Sequence, residues 1–256
     1  MISIGNIDAF MSELAPSNLS ESWDNDGFMV GLHPSEDVKK VLVCLEVTQQ
    51  ALDYAVEKGF DLIITHHPYI FNKLSQIVGV QYEYLEKMIK NGISVLSYHT
   101  RLDSAKGGVN DVLAKKLGLK DVSSFGGESG NIGRIGRLDK EMTPVEFAHY
   151  LKKTIGCDVK CTLSKERTVK FVAVVGGAGK DYIFDGFEKS ADAFVTSEIP
   201  HHMFVFLKEC DLSVYDCGHY YTENPVCEEI ARLLKEKFEE LEVEVFDIGC
   251  PYTCIL

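Results

Sequence analysis

The sequence predicts an α/β protein, internally duplicated, with two similar α/β lobes facing one another across a metal-binding cleft. Three observations lead there. Short β-branched apolar runs alternate with segments of helical periodicity, which is the pattern of βαβ units. One such stretch recurs about half a chain later. The runs also end in histidines and carboxylates, at the strand ends where open α/β sheets place their ligands.

In chain order, residues 6 to 14 read as a short helix stopped near Pro16, followed by the polar turn Glu21-Ser-Trp23-Asp24-Asn25-Asp26-Gly27 with its Asp/Asn/Gly chemistry. Val38 to Glu46 is a strand, and a helix through Leu52, Ala55 and Val56 ends near Gly59. Asp61-Leu-Ile-Ile-Thr65 is then a buried strand, and Pro68 turns the chain out of it just after His66 and His67. Tyr84, Leu85, Met88 and Ile89 share one helical face, with Gly92 where a C-cap belongs. Ile93 to Tyr98 is a strand running into His99-Thr-Arg101-Leu-Asp103, and Gly107-Gly108 opens a helix that Gly118 closes.

Residues 121 to 136 are rich in Gly and Ser and read as a lobe boundary or mobile loop, which sets the expected lobes at 1–125 and 126–256. Thr143-Pro144-Val-Glu146 combines an N-cap, a first-turn proline and a capping-box glutamate, so a helix runs from there to Gly156. Residues 157 to 175 suggest a strand pair. Pro200 precedes a helix whose first turn carries His201 and His202, read as solvated. Pro225 starts another that buries Val226, Ile230, Leu233, Leu234 and Phe238.

The repeat sets Val38 to Glu46 and Asp61 to Thr65 beside Val169 to Val175 and Asp192 to Thr196. Further on, Ser94-Val95 through His99 and Asp103 is echoed by Ser213-Val214 through His219 and Glu223. Both arms give a strand, a histidine and, four residues later, a carboxylate. One arm ends in His66-His67 and the other in Ser197-Glu198, so the lobes are expected to contribute unequally.

Composition narrows the function. The 256 residues are 45% hydrophobic, enough for a full core, and carry a formal net charge of -13. With no basic cluster, a phosphate-tracking nucleic-acid surface is not expected. Asp8 and Glu13 interrupt the first sixteen residues, so no signal peptide is read. No apolar run approaches the ~18 residues of a membrane span. The eight cysteines form no CxxC pair, and Cys157/Cys161 and Cys250/Cys254 have no histidine nearby, so reduced thiols and a cytoplasmic location are expected.

His66, His67, Asp103, His219 and Glu223 offer three imidazoles and two carboxylates, suited to a borderline divalent ion. Five protein ligands exceed one tetrahedral ion and suit two ions sharing a bridging carboxylate and water. Such a pair would activate a bridging hydroxide as nucleophile. Bland roles also exist: Asp103 as a cap of the next helix, Glu223 as a first-turn acid, His219 bonded to backbone. His99 is read as an outer partner of a ligand or a proton carrier, with a plain structural histidine as the alternative. Gly176-Gly-Ala-Gly179-Lys180 fails as a Walker loop, since Val174 and Asp181 stand where Gly and Ser/Thr are needed, though its amides could still meet an anion.

Trp23-Asp-Asn-Asp-Gly27, Ile64-Thr-His-His-Pro68, Tyr98-His-Thr-Arg-Leu-Asp103 with Gly107-Gly-Val-Asn110, Thr196-Ser-Glu198 and Gly218-His219-Tyr-Tyr-Thr-Glu223 resemble the signature blocks of the GTP cyclohydrolase 1 type 2 homologues, or NIF-three-like proteins. The resemblance runs from the first helix to the last strand, in the short form without an inserted central domain. It implies two divalent ions per subunit (zinc, iron or manganese), held by His66, His67, Asp103, His219 and Glu223, with Glu223 bridging. It also implies a homo-oligomer, often a hexamer, and hydrolysis of a nucleotide; a non-catalytic metal-binding or scaffold protein is the other reading. Glu46 stands where the family usually has aspartate and Arg101 where asparagine is common, which bears on the substrate pocket.

Overall fold

The computed structural model describes residues 1–165 and 167–253. The backbone forms two compact units, residues 1–102 with 226–249, and 103–225 with the described residues after 249. The division falls inside the helix Thr100–Ser104, earlier than the boundary after residue 125 read from the sequence. Residues 226–249 return to the first unit because the strand Glu242–Val245 pairs in parallel with Lys40–Cys44.

The first unit holds a five-stranded sheet in the order Glu242–Val245, Lys40–Cys44, Leu62–Thr65, Ser94–Ser97, Gly27–Val30. Its first four strands are parallel and the last is antiparallel. Leu62–Thr65 and Ser94–Ser97 are buried at every position, as parallel strands covered on both faces must be. Gln49–Lys58 packs Ala51, Leu52 and Ala55 against this sheet with Phe60 and Met88. Gly59 and Gly92 end their helices in the left-handed conformation the sequence anticipates.

The second unit holds a six-stranded sheet in the order Lys120–Phe125, Gly133–Met142, Val169–Val174, Ala193–Thr196, Ser213–Asp216, Lys160–Thr162. The three strands that the repeat singles out are again mutually parallel. Their partners are antiparallel. Its core joins Phe147, Leu151, Val172, Val195 and Tyr215. Thr143 and Glu146 form the expected capping box, and Gly156 closes that helix.

The repeated aspartates do one job twice. Asp61 Oδ2 accepts the backbone N–H groups of Lys39 and Lys40 at 2.8 and 2.9 Å, stitching its strand to the next. Asp192 Oδ2 accepts those of Lys170 and Phe171 at 3.0 and 2.8 Å. Hydrogen bonds to a charged acceptor are worth more than neutral ones, so Asp61→Ala and Asp192→Ala are each expected to lower stability by about 2 kcal/mol in urea denaturation. A loss below about 0.5 kcal/mol at either position would contradict that role.

Two expectations are corrected. Residues 121–136 are neither a boundary nor a loop throughout, because Lys120–Phe125 and Gly133–Met142 pair as antiparallel strands. Gly133 is needed there because a Cβ would lie 2.4 Å from the Phe125 ring, and at Gly136 it would lie 2.9 Å from the Lys120 carbonyl. Residues 157–175 do contain two strands, but these do not pair. Lys160–Thr162 lies along Ser213–Asp216, and Val169–Val174 lies between Gly133–Met142 and Ala193–Thr196.

His201 and His202 are exposed in the first turn of the helix His201–Glu209, as expected. Cys44, Cys157, Cys161, Cys210, Cys217, Cys227 and Cys250 are free thiols, and Cys254 lies outside the described residues. Among the described residues no helix is long and apolar enough to cross a membrane.

Candidate metal centre

In the first unit the histidine strand ends as its sequence demands. The Thr65 hydroxyl donates to the His67 carbonyl at 2.8 Å, while His67 N–H donates to Leu45 O at 2.9 Å. The chain is thereby bent so that both rings leave the same strand end. Tyr98 N–H continues the ladder to Thr65 O at 2.9 Å, and the Tyr98 carbonyl then accepts His66 Nδ1–H at 2.9 Å. His66 is fully buried. His67 Nδ1–H donates to Glu46 Oε2 at 3.1 Å, and His99 Nδ1–H to Asp24 Oδ1 at 2.8 Å. Each acceptor can only accept, so Nδ1 carries the proton in each of these bonds. His66, His67 and His99 offer one ligand atom apiece, all within 4.8 Å of one another.

Asp24 is the anchor of this arrangement. Its Oδ2 accepts the Thr100 N–H at 2.9 Å and the Thr100 hydroxyl at 2.6 Å, while Oδ1 takes the His99 ring. Burial alone would raise its pKa, but the hydrogen bond and charge of His99 and the two bonds from Thr100 outweigh burial and hold it at about 2. Arg101 is buried, with its guanidinium 4.4 Å from the Tyr98 ring centroid and Nε 3.2 Å from Asp26 Oδ2.

In the second unit the short helix His219–Glu223 puts its first and last side chains on one face, with His219 Nε2 2.8 Å from Glu223 Oε2. His219 Nδ1–H donates to Glu198 Oε1 at 2.9 Å. Both ring nitrogens therefore face carboxylates, and the Nε2 lone pair can sit that close to Glu223 only with a second ring proton or a shared cation between them. Asp103 and Glu223, both buried, bring carboxylate oxygens within 4.8 Å of each other. Arg134, itself buried, donates to the Ser104 and Ala105 carbonyls at 3.0 and 2.9 Å and fixes the end of the Asp103 helix. Asp103 does not cap the next helix, since Gly108 holds that position without a side-chain bond.

The turn after Val174 packs directly on this pair. Gly176 N–H donates to Asn110 Oδ1, Gly177 N–H to Thr222 Oγ1 and Gly179 N–H to Thr196 Oγ1, at 2.7, 3.0 and 2.9 Å. Those three amides are consumed by side chains, so the expected contact with an anion is not offered by them. The Ser197 hydroxyl and Thr196 hydroxyl donate to the Gly177 carbonyl at 2.6 and 3.0 Å. This explains why Thr196-Ser197 precedes Glu198, which is held at φ 55 in the left-handed region with its carboxylate on His219.

Sequence reasoning placed His66, His67, Asp103, His219 and Glu223 as ligands but assigned no role to Glu46, Asp24 or Glu198. The signals were present. Glu46 lies just past the neighbouring strand Lys40–Cys44, and Glu198 occupies the repeat position of His67. Residues that orient a ligating imidazole typically change metal affinity by 10–100-fold. Glu46→Ala is therefore expected to weaken divalent-ion binding by about 10-fold in a competition titration, with the circular dichroism spectrum unchanged. Unaltered affinity would remove Glu46 from the centre.

The donor set fits a divalent cation: nitrogen and carboxylate oxygen, with every imidazole Nδ1 committed to an oxygen. The sequence profile of the family described as Duf34/NIF3 (NGG1p interacting factor 3) matches residues 2–251. A Clostridium perfringens protein called GTP cyclohydrolase 1 type 2 homolog is 34% identical over 244 residues, 92% of each chain. One of the same name from Clostridium acetobutylicum is 32% identical over 224 residues, 84% of this chain and 83% of its own. A Staphylococcus aureus hypothetical protein of known structure superposes with a TM-score of 0.92 at 26% identity, covering 99% of both chains.

Proposed function

Because the chain belongs to the Duf34/NIF3 (NGG1p interacting factor 3) family, we propose that it is a dinuclear metal-dependent hydrolase acting on a nucleotide. His66, His67, Asp103, His219 and Glu223 would hold the ions, with Glu223 shared between them. The observation that supports this most is the uniform state of the histidines. His66, His67, His99 and His219 each commit Nδ1–H to a carbonyl or carboxylate, the outer bond that orients a metal-ligating imidazole.

Two divalent ions, zinc, iron or manganese, would supply Lewis acidity when bound. The chain's own residues do the rest. Glu46, Asp24, Glu198 and the Tyr98 carbonyl fix ring orientation, so the donors are in place before a cation arrives. His99, held by the ionised Asp24, is the proton carrier nearest the histidine pair. The relatives' name, GTP cyclohydrolase 1 type 2 homolog, supports a purine nucleotide as substrate. The working form is a cytoplasmic homo-oligomer, a hexamer, that binds neither nucleic acid nor membrane.

The test incubates metal-supplemented protein with a nucleotide panel and resolves products by chromatography, beside an Asp103→Ala control. Product from a guanine nucleotide that disappears in the control is expected. Product that survives Asp103→Ala would overturn the catalytic assignment, and no product from metal-loaded protein would leave a metal-binding protein without turnover.

A further inference from the structure

Trp23 is the only tryptophan and is 57% exposed, and Phe71 beside it is 49% exposed. Their ring centroids are 6.0 Å apart. Each also meets the His99 ring, at 6.0 and 5.8 Å, and His99 in turn lies 5.3 Å from the His66 ring and 5.8 Å from that of His67. Leaving two large aromatic side chains half in water forgoes much of the burial that normally keeps them inside. Adjacent exposed apolar groups of this kind mark ligand or partner sites.

The pair is not a floppy surface accident. Asp24, the residue after Trp23, is bonded to His99 and Thr100. Asn25 Nδ2–H donates to the Ile70 carbonyl, which ties the Trp23 loop to the segment carrying Phe71. Glu21 N–H donates to Thr100 Oγ1 at 2.9 Å on the other side. Both rings are therefore held in advance of any ligand, which lowers the entropy lost on binding.

We propose that Trp23 and Phe71 form a stacking platform for a planar heteroaromatic ring, the base of a purine nucleoside, at the edge of the His66, His67 and His99 cluster. This rests on the metal-site reading above and names what that site recognises. Next to the two rings, the carboxylates of Asp24 and Asp26 give a phosphate no favourable contact, so the group recognised by the rings themselves is the base. Asp24 is bonded to His99 and Thr100, and the Arg101 guanidinium is engaged by Asp26. Every base has a π-face, so stacking supplies affinity while the choice of base is left to other contacts.

Because no other tryptophan contributes, Trp23 fluorescence reads the platform directly. Guanosine is expected to quench it and ribose 5-phosphate is not. Phe71→Ala should raise the guanosine Kd about 10-fold, the size of one lost stacking partner, with metal content per chain unchanged. Trp23→Ala, followed by equilibrium dialysis, should weaken guanosine binding to a similar degree. No quenching by guanosine, equal quenching by ribose 5-phosphate, or an unaltered Kd in Phe71→Ala would overturn the proposal. So would a Phe71→Ala change in assembly mass without a change in guanosine binding, which would make the pair a contact for a second copy. Elemental analysis of the same samples separates the two readings: metal without ring binding removes the platform alone, and ring binding without metal removes the metal centre alone.

Discussion

Gly177→Ala is expected to empty the His219–Glu223 side of the centre and to destabilise the fold at the same time. Gly177 sits at φ +61, and a Cβ there would lie 2.0 Å from Glu223 Oε1, 2.9 Å from its Cδ and 3.1 Å from His219 Nε2. Glu223 is buried on the short helix His219–Glu223 and contacts His219 Nε2 at 2.8 Å, so moving its carboxylate aside would disturb that pair. The left-handed backbone by itself costs an L-residue about 1–2 kcal/mol. Gly130, at φ +72 with nothing within 4 Å of its would-be Cβ, isolates that term. Gly130→Ala should therefore lose about 1 kcal/mol and keep its metal. Gly177→Ala should lose clearly more and bind divalent ions at least about 10-fold more weakly. Equal unfolding free energies and equal metal affinities for the two variants would show that Glu223 is not held against this turn.

Asp24→Ala carries the second large effect. The Asp24 side chain is fully shielded from water and serves three donors, the His99 ring, the Thr100 N–H and the Thr100 hydroxyl. Removing it strands a buried backbone N–H and frees the imidazole to turn. Bonds to a charged acceptor are worth about 1.5–3 kcal/mol each, but the hydroxyl can find another partner, so a net loss of about 3 kcal/mol is expected in chemical denaturation of the metal-free protein. Asp24→Asn keeps the shape but must turn an N–H toward one of these donors, so it should recover only part of the loss. Stability within about 0.5 kcal/mol of wild type in Asp24→Ala would contradict the anchoring role.

What the sequence disclosed and what it concealed follow from range. Local rules were legible: Gly59, Gly92 and Gly156 stop helices because each adopts the left-handed cap, and Thr143 with Glu146 starts one. The strand before His66 was legible because a β-branched run covered on both faces has few other uses, and the one before His219 because it echoes the Ser-Val strand before His99. The repeat identified Asp61 and Asp192, whose matching bonds to neighbouring strands account for their recurrence. Pairing across the chain was not legible. Gly133 and Gly136 lower strand propensity in any local reading, yet they are strand residues because the Phe125 ring and Lys120 carbonyl press on them. Lys160–Thr162 and Glu242–Val245 likewise take partners far away in sequence.

The candidate ligands could be read from their positions after strands, whereas the groups that orient them could not. Glu46 bears on the substrate pocket in the sequence reading, but its carboxylate accepts the His67 ring N–H. Asp24 looked like turn chemistry because Asp-Asn-Asp-Gly is a common turn composition, and only the fold brings Thr100 and His99 to it. Arg134 gave no local signal, since its targets are the Ser104 and Ala105 carbonyls.

The measurement that bears most directly on the metal centre is elemental analysis of protein purified anaerobically, supplied with iron, manganese or zinc, and freed of excess ion. The account predicts about two divalent ions per chain, with clear losses in His67→Ala and Glu223→Ala. A wild-type ratio near zero, or an unchanged ratio in both variants, would contradict it.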